Sequence, residues 1–175
     1  MLNFRKATYD DIEQIAEIYS ELHSMEEKGL SSIGWVRNVY PVRETAEEAL
    51  KRNDLFVLEV DGRIVGSAII NKQQVEQYQF GKWNYSPCDE EITVLHTLVI
   101  SPKASGRGYG KAFVDYYEKY AVETNSPYLR IDTNEKNIKA REMYKKLGYT
   151  EVGIIKCAFN GIKNVGLVLL EKLVK

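Results

Sequence analysis

The sequence predicts a single α+β domain of three layers, in which helices flank a central sheet. Segments whose apolar residues alternate with a period of two, as in strands, take turns with segments of helical period. Asp61-Gly62 and Asn160-Gly161 each lie between strand-like runs and predict antiparallel hairpins. The 175 residues are 44% hydrophobic, contain no long linker, repeat or low-complexity tract, and can bury one ordinary core. We therefore expect one domain over residues 1–175.

The amino-terminal half predicts a strand, two helices and a hairpin. The run LNFRKA is typical of a strand, and Thr8 with Asp11 resembles a capping box at the start of a helix. A second, shorter helix is expected to begin near Thr45. The runs LFVLEV and RIVGSAII then form the strands on either side of Asp61-Gly62.

The carboxy-terminal half predicts a central strand, two helices with a strand between them, and a closing hairpin. The run EITVLHTLVI is the central strand, and from Gly108 the apolar spacing becomes helical until Asn125-Ser126-Pro127 stops it. YLRIDT is the next strand, and residues 137–147 form the next helix, with Gly148 as its C-cap. The predicted order is therefore β-α-α-β-β-β-α-β-α-β-β.

Composition excludes several functional classes. The net charge of −1 comes from 24 basic and 25 acidic residues that are mixed along the chain, so we expect no nucleic acid and no membrane surface as partner. The isolated Cys88 and Cys157 and the only two histidines, His23 and His96, form neither a disulfide framework nor a metal centre. An apolar signal core and any run of about 18 apolar residues are absent, which predicts a cytoplasmic protein.

The segment SPKASGRGYGKAF, residues 101–113, places alternate glycines at a strand-to-helix turn. Glycines with Arg107 and Lys111 at a helix amino terminus suit a phosphate ligand, because the first backbone N–H groups of a helix have no partner. A nucleotide P-loop would need glycine at Ser105 and a hydroxyl at Ala112, and a dinucleotide fingerprint would need glycine at Lys111. A general pyrophosphate cradle remains, with a turn that only leads into the helix as the alternative.

Two segments resemble the GNAT superfamily of acetyl-CoA-dependent N-acetyltransferases. LHTLVISPKASGRGYGKAF is similar to its coenzyme A loop, [Gln/Arg]-x-x-Gly-x-[Gly/Ala], although Ser105 stands at the first position. YLRIDTNEKNIKAREMYKKLGY contains its pattern Asn-x-x-Ala-x-x-x-Tyr-x-x-x-Gly-[Phe/Tyr] in full. The resemblance covers nearly the whole chain and implies the GNAT fold, with a mixed central sheet of about six or seven strands.

The resemblance also implies the reaction and the groups that serve it. An N-acetyltransferase of this kind moves an acetyl group from acetyl-CoA, its cosubstrate, to an amine by direct attack, without a metal. Tyr144 matches the general acid, whose phenol can donate a proton to the leaving thiolate. The residues implied to bind the cofactor are Leu98, Val99, Ile100, Ser105, Gly106, Arg107, Gly108, Tyr109, Gly110, Lys111, Asn137 and Tyr144.

The general base is open between three residues. By strand alternation His96 shares a face with Val94, Leu98 and Ile100, and it resembles the catalytic histidine of the serotonin N-acetyltransferases. A histidine in an apolar strand is equally typical of a satisfied core residue. The alternatives are Glu90 and Glu91, acting through water, whereas His23 is expected at the surface.

Four aromatic residues outside any clear helical or strand period are candidates for the acceptor pocket. They are Trp35, Tyr40, Trp83 and Tyr85. Core packing or a dimer contact would explain each one equally well. The expected acceptor is the primary amine of a small molecule or an amino-acid-like compound. A protein N-terminus or lysine is the alternative acceptor, a non-catalytic acyl-CoA-binding module the alternative function, and a homodimer is possible.

Overall fold

Seven strands and four helices follow one another in the predicted order. The computed structural model describes all residues from 1 to 175. The strands are β1 Leu2–Lys6, β2 Leu55–Val60, β3 Arg63–Asn71, β4 Ile92–Ile100, β5 Tyr128–Asn134, β6 Thr150–Phe159 and β7 Ile162–Leu173. The helices are α1 Ile12–Glu27, α2 Arg43–Lys51, α3 Tyr109–Glu123 and α4 Ile138–Lys146.

The strands form one mixed sheet in the order β1-β2-β3-β4-β5-β7-β6. Only β4 and β5 are parallel, and both predicted hairpins are present as β2-β3 and β6-β7. The largest core cluster joins one face of the sheet to α3 and α4, and a second joins the opposite face to α1 and α2. The predicted three-layer α+β class is confirmed.

The helix starts follow local hydrogen bonds. The Thr8 N–H donates to Asp11 Oδ2 at 2.7 Å, as the predicted capping box requires, and one short turn then leads into α1. The helix α2 begins at Arg43, two residues earlier than the prediction. The reason is that Thr45 lies inside the first turn, where its hydroxyl oxygen accepts a hydrogen bond from the Val42 N–H at 3.0 Å.

The two central strands separate halfway along their length. Parallel pairing of β4 with β5 runs from Ile92 and Tyr128 to Leu95 and Ile131 and ends there. We call this point the fork. On the paired side Tyr117 of α3, fully buried, places its hydroxyl 2.6 Å from the Thr93 carbonyl oxygen on β4 and 3.2 Å from that of Arg130 on β5. One phenol therefore joins the two strands just before they diverge.

A bulge at Thr97 accompanies the fork. In the pairing with β3, His96 is opposite Ile69 but Val99 is opposite Ser67, and Thr97 has a positive φ of 50°. Such a φ is a genuine outlier for a β-branched residue. The extra residue reverses the alternation of side chains along the rest of β4.

The bulge corrects the predicted environment of His96. Leu98 and Ile100 pack against the core under α3, whereas Val94 belongs to the core on the opposite face. His96 keeps the face of Val94, so the expectation that it shares a face with Leu98 and Ile100 is wrong. The expectation for His23 is also wrong, because His23 is buried and its Nε2 lies 2.8 Å from the Pro41 carbonyl oxygen.

Three further features of the chain concern metal binding, disulfide bonds and membrane-spanning helices. No group of three or more His, Cys, Asp or Glu side chains could hold a metal ion. Cys88 and Cys157 are both free thiols. No helix combines the length and the apolar character needed to cross a lipid bilayer.

The Tyr117 hydroxyl gives a prediction about stability. Tyr117→Phe leaves the two carbonyl oxygens without this donor, so we expect the free energy of unfolding to fall by about 1–3 kcal/mol. The matched control is Tyr116→Phe, one residue earlier in α3 and half-buried, which should change it by less than about 0.5 kcal/mol. Urea denaturation of both variants measures the difference, and equal values would show that the bridge is not stabilising.

Candidate active site

A cleft of about 1330 Å³ passes through the fork. Its lining comes from the segment between α1 and α2, the end of β3, β4 from His96 onward, the loop before α3, the end of β5, α4, and the β6-β7 hairpin. Ligand pockets usually hold about 300–1,000 Å³. The cleft is therefore large enough for two ligands that meet at the fork.

The loop before α3 presents free backbone N–H groups to one end of the cleft. Gly106 and Gly108 have φ values of 80° and 76°, and Gly108 is the N-cap of α3. The N–H groups of residues 106–111 form no hydrogen bond within the protein, so they can bind an anion together with the positive end of the helix dipole. Of the predicted loop residues, only Arg107 does not line the cleft.

The second half of β4 offers an unpaired backbone edge. The Ser101 N–H donates to the Val65 carbonyl oxygen on β3 at 2.8 Å. Because backbone groups alternate in direction along a strand, Val99 also faces β3, while Leu98 and Ile100 turn their N–H and C=O groups to the open side. Of the three predicted residues, two can thus pair with an extended ligand.

Two residues of the matched pattern lie at the start of α4 and within it. Asn137 is the N-cap, and its Oδ1 accepts a hydrogen bond from the Ala140 N–H at 3.2 Å. Asn137 therefore fixes the start of the helix as well as lining the cleft. Tyr144 also lines the cleft, and its hydroxyl forms no hydrogen bond within the protein. Burial and the nearby Asp132 carboxylate hold the pKa of Tyr144 well above its ordinary value, so the phenol stays protonated.

His96 lies at the fork in a hydrogen-bond network that fixes its tautomer. Its Nε2 lies 3.0 Å from Asn71 Oδ1 and 3.1 Å from the Gln73 carbonyl oxygen. The Asn71 amide nitrogen donates to Asp54, so the oxygen of that amide must face the imidazole. Both neighbours are acceptors, and Nε2 therefore carries the proton.

The other ring nitrogen of His96 is left as a free acceptor. Nδ1 has no hydrogen-bond partner within the protein and is not fully enclosed by it. Burial lowers the pKa of His96 to about 4, although the Gln73 carbonyl oxygen works in the opposite direction. The imidazole is therefore neutral at physiological pH, with a free lone pair on Nδ1.

Asp132 is a residue of this site that the sequence analysis missed. It follows Ile131, the last residue of β5 that pairs with β4, and lines the cleft at the fork. Its Oδ2 accepts a hydrogen bond from the Tyr78 hydroxyl at 2.8 Å. Burial raises its pKa to about 6 despite this hydrogen bond. The one signal in the sequence was an acidic residue within the strand YLRIDT, which is also typical of a solvated strand end.

The predicted aromatic residues divide into two pairs. Trp35 and Tyr40 line the cleft with ring centroids 6.1 Å apart, and the Tyr40 hydroxyl is hydrogen-bonded to Thr97 Oγ1 at the bulge. Trp83 and Tyr85 do not line it. This corrects their expected position.

Trp83 and Tyr85 have other contacts that explain their places. The Trp83 indole N–H donates to the Tyr78 carbonyl oxygen at 2.7 Å, and the Arg130 guanidinium lies 3.9 Å from its ring centroid. Tyr85 lies 5.7 Å from Tyr128, measured between ring centroids. Both aromatic residues therefore support the carboxylate-bearing strand from outside the cleft.

Glu90 and Glu91 also lie outside the cleft. They belong to a short turn, 89–91, that precedes β4 at the end far from the fork. Glu91 accepts a hydrogen bond from the Cys88 thiol at 3.2 Å, and Glu90 is exposed. Neither carboxylate is placed to act on a ligand in the cleft, so the structure does not support either of them as the general base.

A forked mixed sheet, a loop of free N–H groups and a tyrosine in the cleft are together typical of acetyltransferases. The Acetyltransferase (GNAT) family matches residues 12–149, from the start of α1 to the end of the second motif. The chain belongs to this family, and the resemblance seen in the two sequence motifs is confirmed.

Individual relatives are distant. An uncharacterized N-acetyltransferase of Methanocaldococcus jannaschii is 23% identical over 163 residues, which are 92% of this chain and 66% of that protein. A streptothricin acetyltransferase of Escherichia coli is 24% identical over 80 residues, 46% of each protein. The crystal structure of a GNAT-family acetyltransferase from Streptococcus agalactiae has a TM-score of 0.82 at 23% identity, covering 99% of this chain and 96% of that one. This last similarity shows the shared fold.

The environment of His96 gives a prediction about titration. We expect the imidazole NMR signals of His96 in the folded protein to stay unchanged from pH 8 to about pH 5, because the pKa is lowered to about 4. In urea-unfolded protein the same residue should titrate near pH 6.5. The unfolded chain then binds the proton more readily than the folded protein. His96 therefore lowers the free energy of unfolding as the pH falls from about 6.5 to about 4. A midpoint near 6.5 in the folded protein would contradict the buried neutral form.

Proposed function

We propose that the protein transfers an acetyl group from acetyl-CoA to the primary amine of a small-molecule or amino-acid-like acceptor by direct attack. The observation that supports this best is that the free N–H loop and the unbonded Tyr144 hydroxyl line one cleft. The streptothricin acetyltransferase among the relatives is in keeping with a small-molecule acceptor. Trp35 and Tyr40 form the wall on the side away from the N–H loop, where we place the acceptor.

The cofactor-binding residues would act mainly through their backbone. The N–H groups of residues 106–111 would hold the pyrophosphate at the helix terminus. Lys111 lies at the same terminus, where its ammonium is paired with Asp115 at 2.6 Å. Leu98 and Ile100 would pair with the pantetheine arm along the open edge of β4. Asn137 and Tyr144 line the adjoining wall, and Ser105 and Tyr109 border the loop.

The reaction needs one proton donor and two proton acceptors. Acetyl-CoA supplies a thioester whose C–S bond breaks as the nitrogen forms its bond to the carbonyl carbon. Tyr144 gives its phenolic proton to the departing sulfur and recovers one from solvent. An acceptor that arrives as an ammonium ion loses two nitrogen protons, one before the attack and one after it, and the net reaction releases one proton to water.

His96 suits the second of these nitrogen protons. Once the N–C bond has formed, the positively charged nitrogen is far more acidic than in the free ammonium ion, so a weaker base can take its proton. The neutral Nδ1 of His96, whose pKa is about 4, fits this task. Before the attack, the same nitrogen can also orient the amine. It is a poor match for the first proton, because that proton must be taken from the free ammonium ion, which is a far weaker acid.

The cofactor assignment is tested by introducing a negative charge into the loop. Gly108→Asp puts a carboxylate among the free N–H groups, so we expect coenzyme A to bind at least about tenfold more weakly. Gly62→Asp is a matched control, because Gly62 has nearly the same φ of 77°, has open space at its Cβ position, and lies in the β2-β3 turn. Thermal shift with coenzyme A measures binding; a hundredfold excess over Kd should stabilise the native protein by about 2.7 kcal/mol. Stabilisation by ATP and not by coenzyme A would refute the assignment.

The general acid is tested by removing one oxygen atom. Tyr144→Phe should lower kcat by about 10²- to 10⁴-fold without changing the thermal shift by coenzyme A, because the ring still fills its place. Tyr149→Phe is the control, since Tyr149 lies 5.7 Å from Tyr144 between ring centroids, is equally buried and does not line the cleft. Release of free thiol in the presence of a panel of amines reports kcat. Full activity of Tyr144→Phe would exclude the phenol as the acid.

A further inference from the structure

The hydroxyl of Tyr40 reaches the bulge of β4. Tyr40 belongs to the segment between α1 and α2, 57 residues before Thr97, and its hydroxyl is hydrogen-bonded to Thr97 Oγ1. This is the only hydrogen bond that the Thr97 side chain forms within the protein. Thr97 lies in the bulge and has the positive φ of 50°. A conformation so unfavourable for a threonine persists only where its surroundings hold it.

Tyr40 is itself held from several sides. Its N–H donates to the Val36 carbonyl oxygen at 3.0 Å, and the two residues form an antiparallel bridge. The carbonyl oxygen of the next residue, Pro41, accepts a hydrogen bond from the buried His23 of α1 at 2.8 Å. The indole of Trp35 packs against the phenol ring at an interplanar angle of 80°. The hydroxyl at the bulge therefore belongs to a framework that is fixed to α1.

The bulge decides where the Leu98 N–H group points. Extended without the bulge, the register of the preceding pairs would place Leu98 opposite Ser67 and turn its N–H toward β3. With the bulge, Val99 takes that place, and the Leu98 N–H faces the open edge of the fork. The availability of this N–H to a ligand therefore depends on the conformation of Thr97.

We propose that Tyr40 is a positioning residue for acetyl transfer: by holding Thr97 in the bulge, it directs the Leu98 N–H group at the thioester carbonyl oxygen. This inference rests on the proposed function and adds to it a hydroxyl that acts through another residue. The carbonyl oxygen gains negative charge as the amine attacks, and an N–H donor that is fixed beforehand stabilises this charge. A donor displaced by about 1 Å loses much of the effect.

A direct contact with the acceptor is the rival role for the same hydroxyl, because Tyr40 lines the cleft. The hydrogen bond to Thr97 turns the hydroxyl toward β4, whereas the ring is what the cleft wall shares with Trp35. The two roles differ in their kinetics. Loss of a direct contact raises the acceptor KM, whereas loss of positioning lowers kcat.

Tyr40→Phe removes the hydroxyl and keeps the ring. At saturating acetyl-CoA we expect kcat, measured by thiol release, to fall by about 10- to 10²-fold, with the acceptor KM within about twofold of wild type. Thr97→Val removes the other partner, keeps the β-branched shape and should show the same loss. Tyr149→Phe is the control, because Tyr149 is buried outside the cleft and its hydroxyl has no partner. A raised KM at unchanged kcat in Tyr40→Phe would overturn the proposal.

Thr97→Gly separates the backbone conformation from the hydrogen bond. Glycine adopts positive φ about as readily as negative φ, so the bulge in this variant does not need Tyr40 to hold it. In the Thr97→Gly background, Tyr40→Phe should lower kcat by less than about twofold, and the double variant should be at least about fivefold faster than Tyr40→Phe alone. An equal loss in both backgrounds would mean that Tyr40 acts elsewhere and would contradict the positioning role.

The bulge can also be followed by NMR without turnover. In Tyr40→Phe we expect the carbon-13 shifts of Thr97 Cα and Cβ to move toward extended-strand values, and the Leu98 amide to exchange more slowly as it pairs with β3; Tyr149→Phe should leave both unchanged. Unchanged Thr97 shifts in Tyr40→Phe would overturn the proposal even if kcat falls. Thiol release with no amine of a panel, although coenzyme A binds, would refute the acetyl transfer and with it the catalytic part of this proposal. The Thr97 shifts distinguish that failure from a failure of the bulge contact.

Discussion

The separation of β4 from β5 beyond Leu95 and Ile131 is the constraint on which the active site depends. Two parallel strands that stay paired leave no free backbone groups between them, and backbone N–H and C=O groups inside a protein need partners. Here the Tyr117 hydroxyl holds the strands together on one side of the fork. Beyond it, Thr97 is held in its strained conformation by contact with Tyr40. The open edge that results can be satisfied by a ligand.

The same bulge separates two chemical environments. Because it reverses the alternation of β4, Leu98 and Ile100 face α3 and α4, where free N–H groups can attract an anion. His96 stays on the opposite face with Asp132, where the fixed charge is negative. An acid that keeps its proton, Tyr144, lines the same cleft. The pKa values of these groups are moved apart by burial, which is how one cleft offers a donor and acceptors at the same pH.

The sequence predicted the order of elements and the cofactor loop because their signals are local. Hairpin turns, the capping box at Thr8 and the glycines before α3 depend on residues within a few positions of one another. The features it missed depend on distant contacts. The threonine at the bulge is of a type that rarely has positive φ, so no local pattern marked it. The environment of Asp132 depends on Tyr78, 54 residues away, and the position of Trp83 depends on Arg130. Neither the buried carboxylate nor the position of the indole could therefore be inferred from neighbours in the chain.

The proposed binding of coenzyme A through main-chain N–H groups has a consequence for how the protein can change over evolutionary time. Main-chain N–H groups are common to all residues except proline, so most substitutions at Arg107 or Tyr109 would leave the donors of the loop in place, provided that Gly106 and Gly108 keep their conformation. The wall where we propose the acceptor is built from side chains such as Trp35, whose replacement alters the lining at once. If the proposed function holds, lineages with this architecture are free to acquire new acceptors while retaining the same acyl donor.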